Sequence, residues 1–212
     1  MTKANLPKSQ HYVPQFILKN FCIRDTSQIH VFDKKDEVVF KTHIKNVAVE
    51  TGFYNLEIDG VTASVEPNLS KLESLASVVV NKIIKDESLT NLSDDEKLLF
   101  SHFIAAQFTR VKQSRLTLTQ MNDTLVEKLR EMGLDPYNVS GFKPSDATDI
   151  KRASIAGLRD NIVTFAPYIY DKAWILFKAP EAESYYISDN PVTLQNMIDR
   201  SPFGNLGLAV NG

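Results

Sequence analysis

The segment SDDEKLLFSHFIAAQFTRV, residues 93–111, decides the fold because it specifies both the start and the buried face of a helix. Ser93 and, three residues later, Glu96 form a capping box, in which each side chain binds a free backbone amide of the first turn. Apolar residues recur at helical spacing through the rest of the segment. The pattern predicts one long helix that continues to about Leu129 and ends at Gly133, since glycine favours helix ends.

Two further helices are predicted on either side of this segment. Pro67 suits the first turn of a helix, and apolar residues at three- and four-residue steps carry that helix to about Lys85. Ser145 and Asp146 are suited to cap a third helix, which Gly157 weakens. We therefore expect a helical core of three main helices.

Short runs rich in β-branched and aromatic residues predict strands beside this core. Residues 28–32 and 38–41 are separated by a charged stretch and predict a hairpin, and residues 52–58 offer another strand. Residues 174–177 and 185–187 predict a second pair of strands. The expected fold is α+β, with the helical core flanked by short antiparallel β-hairpins.

The composition is that of an ordinary globular protein, with 43% hydrophobic and 24% charged residues among 212. We interpret residues 1–212 as a single domain, and no apolar run approaches the roughly 20 residues of a membrane helix. No secretory signal is recognisable at the start, and the lone Cys22 has no disulfide partner, so we expect the cytoplasm. The net charge of −2 leaves only a local patch to bind phosphate.

Gln107 and Arg110 are the most informative polar residues, because they lie three apart on one face of an otherwise apolar helix. Buried amide and guanidinium groups need hydrogen-bond partners. Glu73, which lies among the leucines of the preceding helix, is the partner that we expect for Arg110. The structural interpretation is that these three residues form a network that tethers two helices, as buried charge pairs often do.

The functional interpretation adds polar residues from the two ends of the chain. A histidine near a carboxylate is suited to general acid–base catalysis, and an arginine is suited to hold a phosphate or carboxylate. The candidate catalytic residues are His11 and Asp189. The candidate ligand-binding residues are Gln15, Glu73, Gln107, Arg110 and Asn190. The alternative for residues 188–191, Ser-Asp-Asn-Pro, is a turn and nothing more, and a structural histidine is the alternative for His11.

Motifs for metals and nucleotides are missing from the sequence. It contains no HExxH or CxxC, which argues against zinc, although Glu66, Glu73 and Asp189 are suited to hold Mg²⁺ if they meet. The glycines form neither of the common phosphate-binding loops. The sequence leaves the cofactor unknown.

Several segments together resemble the uncharacterised, mainly bacterial family called domain of unknown function 4238. The matching segments, in chain order, are HYVPQFILKNF at 11–21, IHVFDK at 29–34, GFYN at 52–55, a helix with Glu66 and Glu73, FIAAQFTR at 103–110, Trp174 and ISDNPV at 187–192. Members of the family look longer at the C-terminus, so we expect the chain to be truncated there. The resemblance implies a grouping and no activity.

Two functional hypotheses follow. In the first, a polar pocket between the N-terminal motif, the long helix and the SDNPV turn binds or hydrolyses a phosphorylated ligand or nucleic acid. In the second, the chain is a non-catalytic interaction module, such as one partner in a defence or toxin-type system, and its polar residues fix the fold. The first requires the side chains of His11, Gln107, Arg110 and Asp189 to meet at an open cavity, and the second expects them to be scattered or sealed from solvent.

Overall fold

A computed structural model describes residues 9–58, 61–181 and 183–194 of the chain. The described part contains six α-helices: α1 (Gln15–Leu18), α2 (Glu66–Asp86), α3 (Asp94–Thr109), α4 (Lys112–Glu131), α5 (Ala147–Ala156) and α6 (Leu158–Tyr170). It also contains six strands: β1 (Ser9–His11), β2 (Gln28–Asp33), β3 (Val38–His43), β4 (Val49–Thr51), β5 (Asn55–Ile58) and β6 (Val61–Ser64). The predicted α+β fold is confirmed.

The strands form three separate antiparallel pairs, β1 with β4, β2 with β3, and β5 with β6. The predicted hairpin is confirmed as β2–β3, in which Val31 lies opposite Phe40. The other two pairs were not indicated by the sequence, and in one of them His11 of β1 lies opposite Val49 of β4. This pairing places the N-terminal motif beside the turn that leads into β5.

The helix ends follow the predicted capping signals. The Ser93 hydroxyl accepts from the Glu96 amide at 3.2 Å, and the Glu96 carboxylate accepts from the Ser93 amide at 2.8 Å. The Asp146 carboxylate accepts from the Asp149 amide at 2.8 Å at the start of α5. Gly133 follows α4 with a φ of +74°, the left-handed conformation in which an L-residue with a side chain is strained. These ends are therefore encoded locally.

The predicted long helix is in fact two helices, because α3 ends at Thr109 and α4 begins at Lys112. Val111 is extended, with φ −71° and ψ 157°, and is 2% exposed. The Ser114 hydroxyl donates to the Phe108 carbonyl at 3.2 Å, which satisfies a carbonyl left free by the break. Burial of Val111 and of Arg110 beside it accounts for a break that contains neither glycine nor proline.

The third predicted helix is also divided, into α5 and α6, at Gly157. The Gly157 amide still donates to the Ala153 carbonyl at 2.9 Å, so the break is a kink rather than a loop. A Cβ at this position would lie 3.3 Å from that same carbonyl oxygen. A side chain at position 157 would therefore crowd the backbone, which explains why glycine suits this position.

The prediction of paired strands at residues 174–177 and 185–187 is wrong, because neither segment is a strand. The Trp174 indole donates to the Ile169 carbonyl at 2.9 Å and lies edge-on to Phe100, with ring centroids 5.8 Å apart. Lys178 binds the Glu87 carboxylate at 2.7 Å. The first segment is thus held against helices rather than against a second strand.

Two apolar clusters form the core, and Tyr12 packs against both. The buried residues of the first are Phe53, Tyr54, Leu69, Ala106 and Leu158. Those of the second are Val13, Leu18, Ile29 and Ile44, with Ile187 packed against them. The N-terminal motif and the ISDNPV segment therefore meet, although they are remote in the chain. Within the described residues, no helix combines the length and apolar character needed to cross a membrane.

Candidate functional site

Gln10, at the centre of the short strand β1, is fully buried and joins three parts of the chain. Its side-chain oxygen, Oε1, accepts from the backbone amide of Tyr54 at 2.6 Å. Its Nε2 donates to Asn55 Oδ1 at 2.7 Å and to Ser64 Oγ at 3.4 Å. Gln10 was not predicted from the sequence, although its partners Tyr54 and Asn55 belong to the GFYN segment. Gln10 fixes β1 to the β5–β6 hairpin.

The predicted network of Gln107, Arg110 and Glu73 is confirmed. Arg110 Nη1 lies 2.6 Å from Glu73 Oε1, and Arg110 Nε donates to Gln107 Oε1 at 3.1 Å. Gln107 Nε2 in turn donates to the Tyr12 carbonyl at 2.7 Å. The Arg110 side chain is 1% exposed and that of Glu73 is 24% exposed. The network ties α3 to α2 and to the N-terminal motif, which is a structural role.

His11 is half-buried beside this network, and among the described residues its Nε2 has no hydrogen-bond partner. Burial lowers the pKa of His11, while the backbone of Ile44 and the Glu73 carboxylate act in the opposite direction. The Tyr54 hydroxyl donates to the backbone carbonyl of His11 at 3.3 Å. Burial therefore disfavours the protonated form of the imidazole.

The surroundings of His11 and Arg110 are rich in carboxylates. Burial raises the pKa of Glu66, and the charge of Glu73 raises it further, whereas Arg110 lowers it. Burial also raises the pKa of Tyr12, to which the charges of Asp189 and Glu50 add. Glu66 and Glu73 oppose the approach of a multiply charged anion such as phosphate to Arg110 from the side on which they lie.

The other predicted site residues lie at the edge of the network or away from it. Gln15 is exposed on α1, and Asp189 is exposed near Tyr12. The Asn190 amide donates to Ser188 Oγ at 3.0 Å, and the Ser188 hydroxyl donates to the Asn190 carbonyl at 2.7 Å. The SDNPV segment thus forms the predicted turn, close to the N-terminal motif.

Access to the polar network is restricted. A cavity that has Arg110 in its lining holds about 20 Å³, room for about one water molecule. Its lining includes neither His11, Gln107 nor Asp189. In the described part of the chain, no three His, Cys, Asp or Glu side chains are grouped closely enough to hold a metal ion, so Glu66, Glu73 and Asp189 do not meet.

A much larger groove of about 660 Å³ lies along a neighbouring side of α3. Phe100, Ile104 and Phe108 of α3 contribute to its wall. The rest of the lining comes from α2 (Val80, Ile83, Ile84), the loop residue Leu89, α6 (Phe165, Tyr168, Ile169) and the segment that follows (Lys172, Trp174, Ile175, Leu176, Val192, Leu194). Lys172 is the charged residue of this lining. The groove was not predicted from the sequence, in which its helical residues indicated a core and residues 174–176 a strand.

The lowered pKa of His11 has a consequence for stability. Since the pKa lies below its usual 6.5 in the folded state, the unfolded state binds more protons as the pH falls through about 6.5. We expect His11→Asn to lose less unfolding free energy than the wild type on acidification from about pH 7 to pH 5. Chemical denaturation across this pH range measures the difference between the two proteins. Other titratable groups, such as Glu66, contribute to both proteins, and their contributions cancel in the difference. The control is His30→Asn, which replaces an exposed histidine on β2. A His11→Asn curve of unfolding free energy against pH that runs parallel to the wild-type curve would contradict the interpretation.

The sequence profile of the family described as Protein of unknown function (DUF4238) matches residues 9–209. No curated protein and no solved structure gives a match. The match covers the polar network, the ISDNPV turn and the groove.

Proposed function

The chain belongs to the DUF4238 family, whose name carries no activity, and we propose from the geometry that it is a non-catalytic interaction module. Its binding site is the apolar groove between α2, α3 and α6. Its partner is a protein that presents an amphipathic helix, because a groove walled by helices suits helix-in-groove recognition.

The observation that carries this proposal is the large apolar groove itself. At about 660 Å³ it falls within the range of ligand-binding pockets, and its wall is apolar apart from Lys172. Ile175 is 72% exposed, Ile84 52% and Tyr168 50%. Exposed apolar residues grouped in one concave patch indicate an interaction site, whereas scattered ones do not. An acidic residue at the edge of the bound helix would pair with Lys172.

The polar network supports catalysis less well. Gln10, Gln107 and Arg110 are buried, and their hydrogen bonds join elements of the fold. The nearby carboxylates disfavour phosphate. Binding or hydrolysis of a phosphorylated ligand or nucleic acid stays a prediction, as do the cytoplasmic location and the link to a defence or toxin-type system.

Selection of helical peptides from a random display library tests the groove. We expect selected peptides to carry apolar residues at helical spacing and to bind the wild-type protein. Ile175→Glu should weaken their binding at least tenfold, about 1.4 kcal/mol, because a carboxylate would be buried against the apolar helix face. Fluorescence anisotropy with a labelled peptide measures the affinity.

The matched control is Val39→Glu, which places the same charge on β3 at a residue of similar exposure, 68% against 72% for Ile175. Its affinity should stay within about twofold of the wild type, since surface changes away from a site are nearly neutral. Peptides that bind both variants equally well would place the binding surface elsewhere. Loss of binding in His11→Ala at unchanged stability would favour the polar site instead.

A further inference from the structure

A second, smaller cavity lies where α3 meets α4. It holds about 20 Å³, and its polar lining residues are Thr109, Arg110, Arg115 and Ser154. Val111, the residue that precedes α4, also lines it. The cavity is separate from the groove, with which it shares no lining residue.

The start of α4 makes this cavity electropositive. α4 is 20 residues long, and Val111 at its N-cap offers no side-chain hydrogen bond to the free amides of the first turn. The first turn contains Lys112 and Arg115 and no acidic residue. Uncapped amides and the helix dipole together attract an anion, since each places partial positive charge at the helix start.

Two buried guanidinium nitrogens near the cavity lack partners. Within the described residues, neither Arg110 Nη2 nor Arg115 Nε has a hydrogen-bond acceptor. Arg115 Nη2 donates to the Phe53 carbonyl at 3.0 Å, but its Nη1 lies 3.9 Å from Glu50, too far for a hydrogen bond. Buried charged donors without acceptors are costly, so the arrangement calls for an acceptor that the side chains do not provide.

The balance of charge around Arg115 is also positive. Lys151 Nζ donates to the Gly52 carbonyl at 2.7 Å, and burial together with the charge of Arg115 lowers the pKa of Lys151. Glu50 is the carboxylate beside Arg115 and Lys151, whereas Glu73 and Glu66 lie near Arg110. Two cations therefore face one carboxylate around Arg115, and one negative charge there restores neutrality.

We propose that this cavity binds one small monatomic anion, of which chloride is the common example. The volume suits a single occupant of about the size of a water molecule better than a polyatomic anion such as phosphate. The anion accepts hydrogen bonds from the two arginines and joins the start of α4 to α3 and α5. Its role is to stabilise the junction at which the chain leaves α3.

A chloride titration tests the proposal on the whole chain. The melting temperature is measured in sodium chloride and in sodium gluconate at equal ionic strength, because gluconate is too large for the cavity. At chloride tenfold above its Kd, linkage raises the folding equilibrium constant about elevenfold, which increases Tm by roughly 3–6 °C for a chain of this size. Equal melting temperatures in the two salts would mean that water alone fills the cavity and would overturn the proposal.

Two further measurements locate the ion. Arg115→Met should abolish the difference between chloride and gluconate, whereas Arg159→Met, at an exposed position on α6, should preserve it. A crystal grown in bromide should show an anomalous peak within the cavity, a result that does not depend on whether Arg115→Met folds. A chloride effect that survives in a folded Arg115→Met protein, or a bromide crystal without that peak, would overturn the assignment.

Discussion

Replacement of Arg110 with methionine is expected to lower the free energy of unfolding by about 3–5 kcal/mol, the range observed when one member of a buried ion pair is removed. Methionine keeps much of the side-chain volume but none of the donors. Glu73 Oε1, at 2.6 Å, and Gln107 Oε1, at 3.1 Å, both lose their partner. Urea denaturation followed by circular dichroism measures the change.

The matched control is again Arg159→Met, for which we expect a change within about 0.5 kcal/mol because the side chain is exposed. Peptide binding by the folded fraction of Arg110→Met should equal that of the wild type, since Arg110 is not part of the groove lining. An Arg110→Met protein of wild-type stability would show that the pair contributes little to the fold.

Replacement of Gln10 with leucine is expected to cost about 2–4 kcal/mol, because it leaves a buried amide without an acceptor and two polar side chains without a donor. The groups affected are the Tyr54 amide, at 2.6 Å, and the side chains of Asn55 and Ser64. Leucine is close to glutamine in volume, so the loss reflects hydrogen bonds rather than a cavity. Thermal and urea denaturation both measure it.

Gln15→Leu is the matched control, since it makes the same change at an exposed position, the first residue of α1. We expect a change within about 0.5 kcal/mol for this variant. Equal losses at Gln10 and Gln15 would mean that the buried amide network is not what holds β1 to the β5–β6 hairpin.

Local chemistry encodes much of this fold. The capping box at Ser93, the Asp146 cap, the helix end at Gly133 and the β2–β3 hairpin were all predictable, because each depends on residues close together in the chain. The Arg110–Glu73 pair was predictable for another reason. A guanidinium on an apolar helix face requires a partner, and Glu73 was the carboxylate on the neighbouring apolar face.

The remaining features depend on tertiary contacts. The break after Thr109 carries no glycine or proline and follows from the burial of Val111, which no local pattern reveals. The role of Gln10 depends on partners 44 to 54 residues away. Residues 174–177 have strand propensity, but Trp174 binds α6 and Phe100 instead. Propensity gave the wrong result there because side-chain packing outweighed it.

The helix α3 connects the polar network with the groove. Gln107 and Arg110 project toward Glu73 and Tyr12, while Phe100, Ile104 and Phe108 line the groove on a neighbouring side of the helix. The network therefore fixes the position of the helix that forms one wall of the groove. In this account the network acts on binding only through the fold.

A double-mutant cycle on Arg110→Met and Glu73→Leu tests most directly whether the buried polar network is structural. The account predicts that the two changes are strongly coupled, with a coupling free energy of unfolding of about 2–3 kcal/mol, because the double variant leaves no charge unpaired. Additivity within about 0.5 kcal/mol would contradict it, since independent effects would show that the pair does not hold α3 to α2.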